Sequence, residues 1–373
     1  MLRGFYLSLL VGPVVPVPAP QPVMDALLSA QVTSAAGQAS GFQITFALSK
    51  KSLLSTAMLP AGYFDPKIRV ILVVTTNNVP TVLMDGIITQ HTVTPSNEPG
   101  QSTLTITGQD LSLLMDLEEK NTCYPGMPAE ARIALLCLNY VLYGIVPLPI
   151  PPVLLDIPSP TERIPIQTGT DLNYAKALAQ EAGYVFYIEP GPLPGMSIAY
   201  WGPEIRIGVP QPALSVNMDA DTNVESLSFT YDGLSKQQMT VGVTEPITKI
   251  TIDLPVPDIG ILRPPLALRP AMPLRQGPLP DSSKWTSTQA LLMGMAQTAE
   301  ASDSISGTGQ LDVLRYGHIL KSRQLVSVRG AGVAYDGFYY VKSVTHNIKR
   351  GEYKQSFSVG RDGMISLTPR VMP

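Results

Sequence analysis

The sequence predicts a β-rich α+β protein in which a β-barrel module occurs twice, with a small α+β unit between the two copies. Three observations predict it. Apolar residues alternate with polar ones near both ends of the chain, the period of half-buried strands. The period turns helical mainly in the middle. The two β regions also share a spaced pattern of Asp, Gly and strand residues.

The first segment, 1–118, reads as β-rich. Met1 to Val11 has one Arg and a short apolar run, like a secretory leader. Pro13, Pro16, Pro18, Pro20 and Pro22 stand where a cleavage site of small residues belongs, so the run is read as a first strand. Gly41 to Leu48 alternates cleanly, and Ile68 to Val74 is β-branched between Pro66 and Asn77-Asn78. Val82–Val93 and Ser102–Thr107 form a hairpin around Pro95 to Gly100.

The second segment, 119–212, changes period. Pro128 suits a first helical position, and Ala129 to Leu142 follows without a breaker. A second helix starts at the capping pair Thr170-Asp171 and stops at Gly183. Tyr184–Ile188 and Met196–Tyr200 are short strands. The third segment opens a second β region at 213–252, with strands at Asn223–Tyr231 and Gln238–Val243. Residues 253–318 hold a proline-dense extended linker or arm over 253–280, with a packed surface loop as the alternative, a helix at Ser287–Ala301 and a loop at Gly307-Thr-Gly309. Residues 319–373 complete the second β region, with a hairpin turn at Lys349–Glu352.

The two β regions resemble one another. Asp85-Gly86 leads through a strand and turn to Thr103-Leu-Thr-Ile-Thr-Gly-Gln-Asp110. Asp336-Gly337 leads likewise to Gln355-Ser-Phe-Ser-Val-Gly-Arg-Asp362. The bounding Asp residues lie 25 positions apart in one copy and 26 in the other, and each outgoing strand carries a His, His91 or His346. Chance is the competing explanation, since Asp-Gly and Gly-x-Asp are ordinary turn sequences. Duplication has a consequence: a trimer of a two-copy chain presents six similar modules to a six-fold partner.

Composition narrows the function. Charged residues make up 15% of the 373, and hydrophobic residues 45%, against roughly 25% charged in an average soluble domain. Mean hydropathy is +0.15. Such a chain is not a solvating disordered protein; its surface is expected to be covered, by itself or by partners. The net charge is −3 and no block of five Lys or Arg occurs, so no nucleic-acid recognition is expected. Cys123 and Cys137 lie 14 positions apart, neither a CxxC nor a zinc spacing, and read as two reduced core thiols. The apolar run Val141–Leu155 contains four prolines, so it is no transmembrane helix.

Catalytic signatures do not emerge. His91, His318 and His346 form no HExxH or other helical metal pair, and His91 and His346 read as structural. No Gly-x-Ser-x-Gly elbow, Walker sequence or strand–loop–helix dinucleotide loop occurs. Asp116, Glu118 and Glu119 beside Lys120 read as a solvated turn rather than a glycosidase pair. Asp219 and Asp221 are also turn-like. Trp201 reads as a core or interface anchor, with a sugar platform as the alternative. No catalytic, cofactor or metal residue is nominated, and interface residues stay unassigned.

Four stretches then carry a resemblance: Gly108 to Asp116; Gln167 to Tyr184 continuing through Phe186-Tyr-Ile-Glu-Pro-Gly191; Ala199-Tyr-Trp-Gly-Pro203; and Tyr335 to His346. In this order they resemble the late control D family of baseplate hub proteins, from contractile phage tails and related injection systems, over nearly the whole chain. The resemblance implies two tube-type β-barrel domains with a small inserted domain. It also implies a homotrimer of pseudo-sixfold symmetry, assembled in the bacterial cytoplasm into a phage tail or injection particle. One face would meet a hexameric inner tube protein and the other a trimeric spike protein, among other baseplate proteins. In related type VI spike proteins an oligonucleotide-binding-like barrel and a β-helical needle follow the hub in the same chain. Here the sequence ends at Pro373, so the spike is expected as a separate polypeptide, and no lysozyme module is expected after Asp362. The expected function is that of a structural symmetry adaptor rather than an enzyme. The rivals are a tail-tip cell-wall hydrolase and a carbohydrate-binding module.

Overall fold

Alternation in the sequence becomes strands where it is strongest. A computed structural model describes residues 4–98, 100–152, 161, 164–244, 251–256, 263–279, 294–295, 298 and 303–367. Strand β1 (Phe5–Gly12) buries Leu7, Leu9 and Val11 and turns Tyr6 outward, so the N-terminal apolar run is a strand as expected. After β2 (Val17–Pro18) and helix α1 (Gln21–Ala26) come β3 (Leu27–Ala35), β4 (Gly41–Ala47), β5 (Arg69–Thr76), β6 (Val79–Thr94) and β7 (Thr103–Asp110). β5 buries every side chain from Arg69 to Val74, as suits a strand enclosed on both faces.

The chain divides into two compact units. The first comprises Met1–Lys176, Phe186–Trp201 and Thr345–Gln355; the second comprises Ala177–Val185, Gly202–Val344 and Ser356–Pro373. In the first unit the strands lie in the order β3-β4-β7-β6-β5-β1-β2, and each adjacent pair is antiparallel. Asp85-Gly86 lies inside β6 and not in a turn. Glycine is required there because strands crowd: a Cβ on Gly86 would sit 2.3 Å from the Gln109 carbonyl oxygen, and one on Gly108 2.4 Å from the Phe42 ring.

The middle of the chain adds β8 (Glu119–Cys123), α2 (Ala129–Leu138), β9 (Ile145–Pro149), β10 (Ile166–Thr170), α3 (Asp171–Ala182), β11 (Val185–Pro190) and β12 (Ser197–Gly202). α3 matches its expectation at both ends. The Thr170 hydroxyl accepts the Asn173 N–H at 3.2 Å, and Gly183 follows at φ +70°, the left-handed stop. α2 ends at Leu138, four residues earlier than expected. Tyr140 leaves the helical path at φ −113°, and a 3-10 turn, Val141–Tyr143, runs into Gly144 at φ +71°. β9 keeps Pro147 and Pro149 because it is the edge of a three-stranded sheet, β11-β12-β9.

Cys123 is exposed on β8, which among the described residues pairs with β10 alone, so the expectation of two core thiols fails there. The two-stranded ribbon gives that side chain no cover. Cys137 is buried, and burial together with the Asp171 carboxylate pushes its thiol up to about 12. One thiol per native chain is therefore expected to react with a maleimide at neutral pH, and two after denaturation. A native count of two would contradict this placement.

The second unit contains β13 (Gln211–Ser215), β14 (Val224–Tyr231), β15 (Gln237–Thr244), β16 (Thr251–Pro255), β17 (Ala267–Pro270), β18 (Arg275–Pro278), β19 (Ile305–Asp312), β20 (Leu325–Arg329), most of β21 (Gly337–Lys349) and β22 (Glu352–Arg361), whose hairpin tip Thr345–Gln355 belongs to the first unit, and β23 (Gly363–Ser366). Its main strands lie in the order β14-β19-β22-β21, with β20 beside β21 and β13 beside β20. No pairing among the described residues closes either strand order on itself.

Two expectations are corrected here. Gly307-Thr-Gly309 is the heart of β19, not a loop. A Cβ on Gly307 would lie 2.8 Å from both the Phe229 ring and Val359, and one on Gly309 2.6 Å from Phe357. The glycines admit neighbouring side chains rather than loosen the backbone. The stretch 253–280 is not a bare linker. It holds the end of β16 together with β17 and β18, paired respectively with β15, β23 and β15. The helix expected at Ser287–Ala301 falls almost wholly outside the described residues.

Candidate functional site

Three of the four Asp residues singled out by the repeat, Asp85, Asp110 and Asp362, are buried clasps; the fourth, Asp336, is half-buried and accepts the Ala331 N–H at 2.8 Å. In the first unit Arg69 donates to both Asp85 carboxylate oxygens, from Nε and Nη2, at 2.7 Å each. The Ser197 hydroxyl reaches the same carboxylate at 3.1 Å. Asp110 accepts the backbone N–H of Ser40 at 2.7 Å and of Ser112 at 2.9 Å. In the second unit the Asp362 carboxylate accepts the N–H groups of Leu266 at 3.0 Å and Ala267 at 3.1 Å. Arg361 is fully buried and donates to the carbonyls of Ala334, Asp336 and Gly363 at 2.6, 2.9 and 2.7 Å.

A second ionic group lies in the same unit. Arg206 donates to Asp303 through both terminal nitrogens, at 2.6 and 2.9 Å, and its guanidinium lies 4.8 Å from the centre of the Tyr340 ring. Lys342 reaches Asp303 at 2.9 Å. Burial alone would push the Asp303 carboxyl up; Arg206 and Lys342 hold it well below the usual carboxylate range. The α+β segment has its own centre at Asp171, which accepts from Lys120 Nζ at 2.6 Å, the Tyr140 hydroxyl at 2.7 Å and Gln167 Nε2 at 2.6 Å. Burial and then Asp171 push the Tyr140 phenol above its ordinary value. Each carboxylate has its cation or N–H donors close by, which suits a rigid scaffold more than proton transfer.

The sequence-flagged groups do not converge. His91 is exposed on β6, with Nδ1 3.1 Å from the Phe64 carbonyl oxygen. His318 is exposed in a loop, and His346 is buried on β21 beside the Tyr353 hydroxyl. Asp116, Glu118 and Glu119 are exposed, and Asp116 accepts the Thr170 hydroxyl at 2.6 Å. Asp219 and Asp221 form an exposed 3-10 turn. Trp201 is 0% exposed, so it is a core anchor and offers no open platform for a sugar ring. Among the described residues no group of three His, Cys, Asp or Glu is placed to hold a metal ion. No described helix is long and apolar enough to cross a membrane.

Exposed apolar surface is the feature left to account for. In the first unit Leu135, Leu138, Val141 and Leu142 face outward from α2 and the turn after it. Val141 and Leu142 line a shallow cleft of about 320 Å³ with Val15, Pro16 and Pro194. Leu135 and Leu138 share one face of α2 by their i, i+3 spacing, a signal present in the sequence, and Val141 and Leu142 follow in the 3-10 turn. In the second unit the arm 266–279 buries Leu266, Ala267, Ala271 and Leu279 and exposes Leu268, Met272 and Leu274.

No protein-family model matches the sequence, and no curated protein matches it. Solved structures do. A tail protein from Neisseria meningitidis superposes with a TM-score of 0.62 at 15% identity, covering 97% of this chain and 98% of that one. The 43 kDa tail protein of prophage MuSo2 from Shewanella oneidensis gives 0.63 at 13%, covering 97% and 100%. An E. coli component of the type VI secretion system, itself similar in structure to T4 bacteriophage tail proteins, gives 0.53 at 10%, covering 93% and 77%. The chain thus has the fold of phage tail and type VI secretion proteins along nearly its whole length.

Proposed function

We propose that this protein is a structural, non-enzymatic baseplate component of a phage tail or contractile injection particle, a homotrimeric hub that adapts a hexameric inner tube to a trimeric spike. One observation carries the reading. Numbered along the chain, six strands of the first unit (β1, β3–β7) lie in the spatial order 2-3-6-5-4-1, and so do six of the second (β13, β14, β19–β22). This supports the duplicated, tube-type β-barrel module expected from the sequence: residues 1–118 form the first copy, 119–212 the α+β insert, and 213–252 with 319–373 the second copy, to which β19 adds residues 305–312 from the stretch expected as an insertion. One pairing departs from the parallel: β1 runs antiparallel to β5, whereas β13 runs parallel to β20.

The mechanism is geometric. Three chains with two similar modules each offer six near-equivalent edges to a six-fold ring, while the trimer keeps its three-fold axis for the spike. Buried clasps such as Arg69–Asp85 and Arg361 keep each module rigid, and exposed apolar surface supplies affinity at assembly interfaces. Full-length likeness to two tail proteins supports the setting.

Native mass measurement tests the reading. The chain is expected at three times 40.1 kDa, as a ring in negative stain, alone or with its spike. A monomer under both conditions, or robust turnover of purified peptidoglycan, would overturn it in favour of a hydrolase or binding module.

A further inference from the structure

The arm 266–279 is amphipathic across its two faces. Its inner face is fastened by Asp362, by the Ala271 N–H on the Asp362 carbonyl at 3.1 Å, and by the Leu279 N–H on the Thr240 carbonyl at 2.9 Å. Its outer face presents Leu268, Met272 and Leu274, which are 62%, 82% and 68% exposed. Three large apolar side chains this exposed on one short segment form the kind of surface that often serves as an interaction site. Arg269 and Arg275 are exposed beside them, and neither enters an ion pair among the described residues. An extended segment clamped along its length and apolar on its free side is held out for contact, and its two guanidinium groups ask for an acidic partner.

This chain carries a complement. The turn 116–119 sets Asp116, Glu118 and Glu119 around Leu117, which is 50% exposed. It is the one described stretch in which three carboxylates and an exposed large apolar residue fall within four positions. It belongs to the first unit and the arm to the second.

We propose that the arm's outer face docks the 116–119 turn of a second copy of this chain, Leu117 packing among Leu268, Met272 and Leu274 while Arg269 and Arg275 meet the acidic side chains. The contact joins two different surfaces, so it is heterologous and each copy carries one unused half until a ring closes. The inference rests on the homotrimer proposed above and assigns its seam.

Charge reversal and exchange test it. The full chain is compared with Arg269→Glu/Arg275→Glu, with Glu118→Arg/Glu119→Arg, and with all four changes together. All four positions are exposed, so thermal unfolding serves as the folding control. Each double reversal is expected to weaken association by roughly 100-fold in sedimentation equilibrium, and the four-fold variant to recover most of it. Wild-type association is also expected to weaken as salt rises. Separately, a Leu117→Cys chain mixed with a Met272→Cys chain, both carrying Cys123→Ser, is expected to give an intermolecular disulfide that neither forms alone. A trimer indifferent to both reversals, or a four-fold variant no better than its parents, would overturn the seam and leave the hub reading standing. A wild-type chain that stays monomeric both alone and with its spike would overturn both.

Discussion

Replacing Arg206 by alanine is expected to destabilise the chain by about 3–5 kcal/mol, the cost of leaving a buried charge without its partner. The Arg206 and Asp303 side chains are each 3% exposed. The guanidinium grips the carboxylate with two hydrogen bonds and stacks on Tyr340. Without Arg206, Asp303 keeps Lys342, a side chain 40% exposed whose field water screens, and the more distant Arg263, which is itself paired with Glu204. Arg206→Lys is not a conservative rescue, because one ammonium replaces neither the two-pronged grip nor the stacking. Removing both charges, as Arg206→Met with Asp303→Leu, is expected to cost less than Arg206→Ala alone. Urea unfolding at pH 7 separates the cases. A loss below about 1 kcal/mol for Arg206→Ala would mean that the pair is in contact with water.

This pair also shows where sequence reading stops. Local signals were legible. The alternation of β1, the β-branched run of β5, and the Thr170 and Gly183 ends of α3 each depend on residues a few positions apart. Long-range reasons were not. Gly307 and Gly309 look like a loop until Phe229, Val359 and Phe357 are placed against them. The proline-dense arm looks like a linker until Asp362, 96 positions from Leu266, takes its N–H groups. Asp110 and Asp362 were singled out as motif ends, but their use as clasps could not be read, since Asp110 fastens Ser40 from 70 positions away. Arg206 stood out in no pattern at all, because its partner Asp303 lies 97 positions on. The candidate docking surfaces were partly visible. Low charge raises the expectation of a covered surface, and the i, i+3 pair Leu135 and Leu138 was present in the sequence, but only the buried face of α2 reveals that the pair is spare.

The second large effect is one of pH. Lowering the pH from 7 to 4 is expected to remove about 3 kcal/mol of stability through His346 alone. Its imidazole is buried on β21 within the hairpin tip Thr345–Gln355, and burial pushes its pKa from 6.5 down to about 4. Nδ1 lies 2.8 Å from the Tyr353 hydroxyl and 3.3 Å from Gln355 Nε2, itself a donor. That nitrogen therefore accepts in the neutral ring, and a proton on it would face a donor. In the unfolded chain the ring takes its proton near pH 6.5, whereas the folded chain resists until about 4. Between those values the unfolded state binds more protons, so stability is full above pH 6.5 and falls as pH drops to about 4. A difference of two to three units is worth about 3 kcal/mol. Asp303 works in a separate window: its contribution is full above pH 3.8 and is lost only as acid protonates it further down. His346→Gln cannot titrate, so its unfolding midpoint is expected to stay nearly level between pH 6.5 and 4.5 while that of the wild type falls. Parallel midpoints for the two proteins across this range would show that His346 is not the group responsible.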